Sequence, residues 1–127
     1  MLRPFLRATL DRVRVTRCDA DRAASITIDA QLLAACDVLP LERVEVHNLT
    51  DGTSFSSYCT PGAPGEGEIG FNGALADLAA VGDLVVIAAY CQLDREDVPH
   101  HRVRVVRVDD ANRLTQVREY TPFDHPD

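Results

Sequence analysis

The chain has 127 residues, 46% of them hydrophobic and 26% charged, with a formal net charge of −7. That is enough for one domain with one hydrophobic core and no second module. An acidic surface excludes nucleic acid as a partner, because phosphate binding draws on a cationic face and the counterions it releases; small molecules or proteins are the partners that remain. No apolar run is long enough to span a bilayer, and the start, MLRPFLRATLDRV, carries arginine and acid where a secretory signal needs an unbroken apolar stretch. A cytoplasmic protein without membrane association is expected.

In chain order, RVRVT (12–16) alternates Val13 and Val15 against Arg12 and Arg14, the period of a half-buried strand. SITID (25–29) repeats the pattern with Ile26 and Ile28. Asp29 stands where a carboxylate caps a short helix, AQLLAACDV, with Leu32, Leu33 and Cys36 facing inward and Pro40 closing the segment. RVEVHNL (43–49) is a strand, TDG (50–52) a turn with Gly52 at positive φ, and TSFSSYCT its returning partner. In that partner Phe55, Ser57 and Cys59 share one face, and Ser54, Ser56 and Tyr58 the other.

PGAPGEGE (61–68) reads as an exposed loop, and IGFNG as a short strand ending at Asn72-Gly73. ALADLAAV makes about two helical turns, and GDLVVIAAYCQL is apolar enough for a strand buried on both faces. HRVRVVRVD (101–109) alternates again; the tail from Leu114 can add one strand before fraying at PFDHPD. Six or seven short strands, two short helices and no βαβ alternation predict a mainly β fold, a small closed barrel with short helices.

Cys18, Cys36, Cys59 and Cys91 form no C-x-x-C pair and read as buried thiols. His100 and His101 are adjacent while His47 and His125 stand alone, so no metal site is predicted. All 13 cationic residues are arginine. Without lysine, the chain can form no Schiff base through a lysine amine and cannot anchor pyridoxal phosphate.

The order of MLRPFLRATLDRVRVT, a small residue and serine before ITID, NLTDGTSFSSY, GFNGALA and VGDLVVIAAY resembles the pyruvoyl-dependent aspartate 1-decarboxylases over roughly residues 1–93. The resemblance implies a double-psi β-barrel and a homotetramer with active sites between subunits. It also implies a pyruvoyl cofactor made from the chain itself: Ser25 attacks the Ala24 carbonyl, the backbone is cut between them, and the new terminus at 25 becomes a ketone that serves as electron sink.

By the same resemblance Ser57 stabilises the oxyanion of cleavage, where the family has threonine. Tyr58 protonates the carbanion after CO₂ leaves, Asn72 orients the cleavage-site carbonyl, and Gly73 and Ala74 line the substrate. Beyond Ser57, four positions depart from the pattern. Ala24 replaces a glycine expected in a strained turn, where a Cβ at positive φ costs about 1–2 kcal/mol. Thr9 and Ser54 replace the lysine and arginine that hold the substrate carboxylates, and Asp11 replaces a histidine, adding negative charge. Arg12, with Arg7, Arg14 and Arg22, remains available to compensate.

Two readings follow. One is a self-cleaving decarboxylase of aspartate, giving β-alanine, or of a related small amino acid, with or without a maturation factor. The other is a paralogue that does not process itself and uses the barrel pocket for different chemistry or for binding a ligand or partner.

Overall fold

The computed structural model describes residues 1–124; His125 and the rest of the terminal segment expected to fray, 125–127, lie outside them. The described chain is mainly β. Its strands are β1 (Arg3–Arg14), β2 (Arg17–Asp19), β3 (Ser25–Asp29), β4 (Arg43–Asn48), β5 (Ser54–Gly62), β6 (Ile69–Asn72), β7 (Leu84–Leu93), β8 (Val103–Val108) and β9 (Leu114–Tyr120). One helix, α1 (Ala30–Cys36), and two 3₁₀ segments, Gly73–Leu78 and Arg95–His100, complete it.

The strands form one mixed sheet in the order β2-β6-β3-β5-β4-β7-β1-β8-β9. Its first member, β2, is the continuation of β1 through Val15-Thr16. The amide of Val15 donates to Asp83 O (2.9 Å), at the mouth of β7, and the amide of Thr16 donates to Ile69 O (2.8 Å), at the start of β6. The run from β1 into β2 is therefore the seam that closes the sheet into a barrel, which removes the exposed edges an open sheet would leave. The β8–β9 hairpin is added outside the ring, with β8 parallel to β1.

Inside the ring sit Leu10, Val13, Ile26, Ile28, Val44, Val46, Ile69, Phe71, Val85 and Ile87, each 4% exposed or less. Phe55 meets Phe71 edge to face, centroids 5.3 Å apart. Each fully buried side chain of this size contributes about 1.5–3 kcal/mol of transfer free energy.

The predicted strands at 25–29, 43–49, 69–72 and 101–109, the Gly52 hairpin (φ +82°) and the Asp29-capped helix are all present. Several expectations need correction. The first strand begins at Arg3, because Ala8 and Leu10 already alternate inward against Arg7, Thr9 and Asp11. The helix stops at Asp37, left-handed at φ +56°, before Pro40 is reached. The segment after Gly73 is a 3₁₀ turn, not two α-turns.

β7 is buried on one face only; the other carries Tyr90, 44% exposed, and Gln92. The 61–68 loop is less free than its composition suggests. The buried Asp29 carboxylate accepts from the amides of Gly65 (3.0 Å) and Gly67 (2.8 Å) as well as from Gln31 (2.8 Å) in α1. One carboxylate thus caps the helix and pins the loop that leads into β6.

Candidate active site

β3 leaves the seam with its side chains split between two faces. Ile26 and Ile28 point into the core, while Ser25 and Thr27 point outward yet remain 6% and 7% exposed. They are covered by β6, which pairs antiparallel so that Ser25 faces Asn72 and Thr27 faces Gly70. Asn72 Nδ2 donates to Ser25 Oγ (3.0 Å) and to Thr27 Oγ1 (2.9 Å). Ser25 Oγ in turn donates to Ala23 O (3.2 Å). The hydroxyl is thereby held against the backbone of residues 23–24, with an amide donor beside it.

Gly73 explains how the chain approaches so closely. A Cβ there would lie 2.8 Å from both Ala24 Cα and N and 2.9 Å from Arg22 O, and its φ is +64°. Only glycine fits both the conformation and the space. Ala24 itself, expected at positive φ, is not in that region: among the described residues the non-glycine positions at positive φ are Arg12, Asp37, Leu41 and Asn112. The steric penalty expected of its Cβ therefore does not arise in this backbone, and the close approach is relieved on the Gly73 side.

β5 runs parallel to β3 on its other flank, first pairing at Ile26 with Cys59. Ser57 and Tyr58 immediately precede Cys59, alongside the Ala24-Ser25 bond. Tyr58 is 39% exposed and shares the outward face with Thr60, whose hydroxyl meets that of Thr27 (3.2 Å). Ser57 is half-buried on the opposite face, across from Val44.

The outward face continues over β4, β7 and β1. Directly paired residues share a face, and the row Ser56, Glu45, Ala88, Thr9 crosses four strands. Ser54 lies opposite His47, and Tyr58 opposite Arg43. Thr9, Ser54 and Tyr58 are thus brought onto one surface with Ser25 at its edge. Two shallow hollows on it share Arg43 and Ser56; one is bounded by Pro4, Glu45 and Tyr90, the other by Ser57 and Tyr58. Ala74 is exposed at the start of the 3₁₀ turn.

Electrostatics on this face differ from the sequence expectation. Asp11 does not stand as a free negative charge: Arg107 Nε is 3.8 Å and Arg12 Nε 4.0 Å from its carboxylate. Arg12 sits in the β1 bulge (φ +51°) with its side chain 72% exposed, Arg7 is paired with Glu42, Arg22 bonds Asp19, and Arg14 donates to Gly82 O. The cation paired directly across from Tyr58 is Arg43, which donates through Nη2 to Ser56 Oγ (2.9 Å) and has no carboxylate partner among the described residues. Its signal was the hairpin register: counting back from Gly52 pairs position 43 with position 58.

The same register exposes a contact the isolated histidine concealed. His47 Nδ1 meets Ser54 Oγ (3.0 Å) while Nε2 meets Glu45 Oε1 (3.0 Å). Arg17 and Thr27 beside Asn72 were also missed. Their signal is the period of β3 and the placement of β2 against β6, which sequence spacing does not disclose.

Among the described residues no group of three or more His, Cys, Asp or Glu is disposed to hold a metal ion, and no helix is long and apolar enough to cross a membrane. Burial raises all four thiols, Cys36 furthest, to about 12.

Comparison with known proteins gives a consistent result. The aspartate decarboxylase family matches residues 1–115, further than the motifs themselves extend. The aspartate 1-decarboxylase of Bordetella avium is 42% identical over 120 residues, 94% of this chain and 98% of its own. That of Legionella pneumophila (strain Lens) is 44% identical over 116 residues, 91% of this chain and 87% of its own. That of Salinibacter ruber is 44% identical over 114 residues, 90% and 78% respectively.

Proposed function

The chain belongs to the aspartate decarboxylase family, and on that premise we propose that it cuts itself between Ala24 and Ser25 and decarboxylates aspartate to β-alanine. The observation that carries the reading is the hydrogen bond from Asn72 Nδ2 to a Ser25 hydroxyl 3.0 Å away, with Gly73 packed on Ala24 behind it. In cleavage, Ser25 Oγ bonds to the Ala24 carbonyl carbon, the C–N bond breaks, and an ester replaces the amide. β-Elimination then releases residues 1–24 as a carboxylate. The dehydroalanine left at 25 takes up water and loses ammonia to become a pyruvoyl ketone. Ser57, on the neighbouring strand β5, is the further hydroxyl proposed to steady the oxyanion.

Ser25 fits the group because Gly73, where a Cβ would collide with Ala24, leaves room beside the new terminus, and Asn72 supplies a donor there. Once present, the ketone supplies the electron sink for the pair released with CO₂, a role for which this chain has no lysine. Tyr58, on the same outward face, is the phenol we assign to return a proton to the substrate carbon. Arg43, opposite Tyr58, is the cation we assign to a substrate carboxylate in place of the ones absent at 9 and 54; a guanidinium offers the planar two-point grip that Thr9 and Ser54 lack.

A homotetramer with its sites between subunits would cover the open face that carries Tyr58 and Tyr90, and a cytoplasmic location accords with four free cysteines.

Intact-mass analysis tests the reading directly. It predicts two species, residues 1–24 and 25–127, the second trapped by an amine and borohydride, together with CO₂ release from aspartate. A single uncut chain after prolonged incubation, with and without cytosolic extract to supply any maturation factor, would favour the repurposed barrel instead.

A further inference from the structure

We infer that Arg17 is a positioning residue for self-cleavage, fixing which way the Asn72 amide faces Ser25; the inference rests on the cleavage proposed above. Asn72 is 2% exposed, and an amide in its place could present either its oxygen or its NH₂ to the serine. Only the NH₂ can donate to Ser25 Oγ and Thr27 Oγ1 together and so hold the attacking hydroxyl in place, so the orientation matters. Arg17 Nη2 donates to Asn72 Oδ1 (3.1 Å). A rotated amide would set two donors against each other there, next to a full positive charge.

The neighbouring hydroxyls reinforce this choice. Thr27 Oγ1 accepts from Asn72 Nδ2 (2.9 Å) and from Arg17 Nη2 (3.3 Å), which uses both of its lone pairs. Its own proton is therefore directed to Thr60 Oγ1, 3.2 Å away. With the acceptor side of Thr27 filled from two directions, the Asn72 NH₂ has one hydrogen for Thr27 and one for Ser25, and Ser25 passes its proton to Ala23 O.

Arg17 is itself held from two sides. Glu68 pairs with its Nη1, and the guanidinium lies flat on Gly70, where a Cβ would come 2.8 Å from Nη2. Its Nε is buried without a partner among the described residues, a cost the site bears while Nη1 and Nη2 are occupied. Arg17 makes no hydrogen bond to residues 24 or 25; its side-chain partners are Glu68, Thr27 and Asn72. Its effect is exerted through Asn72.

The test follows the cleavage of freshly purified full-length chain by mass, comparing wild type with Arg17→Ala, Arg17→Lys and Arg17→Ala plus guanidinium or ethylammonium at non-denaturing concentration. Arg17→Ala is expected to cut between about 10- and 100-fold more slowly, the range for a catalytic group displaced by an ångström or less. Guanidinium, which can refill the space over Gly70, restores the rate, and ethylammonium does not. A loss of packing alone would not distinguish the two cations. If Arg17→Ala does not fold, Arg17→Lys carries the test: it keeps the charge, cannot span Asn72, Thr27 and Glu68 together, and should still cut at least about 10-fold slower. Equal rates in wild type and in a folded Arg17 variant overturn this assignment alone. Slow cutting that neither cation or both cations relieve also overturns it. A wild-type chain that never cuts overturns the cleavage reading and this inference with it.

Discussion

The two halves of the candidate site are built differently. Around Ser25 the groups are buried, each hydroxyl and amide has its partner, and β2, β3 and β6 supply most of them, with Thr60 of β5 completing the chain of hydroxyls. Around Thr9, Ser54 and Tyr58 the surface is open, and its contacts are hairpin pairs that solvent can reach. Machinery that acts on its own backbone can be preorganised inside a single fold. A surface that must admit a small molecule stays open until another surface closes it. Thr9, Asp11 and Ser54 all lie on the open half, so on the proposed reading substitutions there would alter substrate binding and leave cleavage untouched.

The contrast is broken most sharply from the buried side. Asn72→Ala should slow cleavage by about 10²-fold, the cost of letting a positioned reacting group shift by about an ångström; the appearance of the 25–127 fragment measures it. If the variant cuts at the wild-type rate, the buried network is structural. Gly73→Ala comes next. Its Cβ meets Ala24 Cα and N at 2.8 Å and its φ is +64°, so the backbone at the cutting point must shift. Beyond about 1–2 kcal/mol of lost stability by denaturant titration, from the left-handed conformation alone, cleavage should fall too.

The open half predicts a different pattern, visible in KM and not in cutting. Thr9→Lys with Ser54→Arg should lower KM for aspartate by about 10–100-fold, because each charge-assisted contact is worth about 1.5–3 kcal/mol when buried and less at a wet surface. Arg43→Ala should raise KM by about 10-fold or less on the same grounds, leaving cleavage unchanged. An Arg43 variant that stops cutting would erase the distinction between the halves.

A separate effect, confined to alkaline pH, concerns neither half. Burial raises the Cys36 thiol from 9.0 to about 12. Between those values the folded chain keeps a proton that the unfolded chain loses, so stability falls as pH rises through that window. Cys36→Ala should flatten the alkaline part of a denaturation-versus-pH curve.

How much of this the sequence disclosed depends on the range of the contact. Period-two alternation marked β3, β4 and β8, and the Asp29 cap and Gly52 turn are local chemistry, so they were legible. Ser25, Asn72 and Tyr58 stood out only through resemblance, since each is unremarkable in its own window. Arg17 was invisible because its partners lie 10, 51 and 55 residues away and depend on β2 folding back beside β6. Arg43 and His47 were within reach, since a hairpin of known turn fixes its own register. The 3₁₀ turn after Gly73 was misjudged because its apolar composition suits either helix type.

The seam between β1 and β2 carries one more consequence. Residues 1–24 supply the strand that β7 and β8 flank and then the strip that borders β6. A cut after residue 24 would therefore leave two polypeptides interwoven as a heterodimer, with the shorter piece retained by its ladders on both sides. Unfolding of the mature protein would become bimolecular. Its midpoint should climb with concentration, and renaturation from separated fragments would be a complementation reaction.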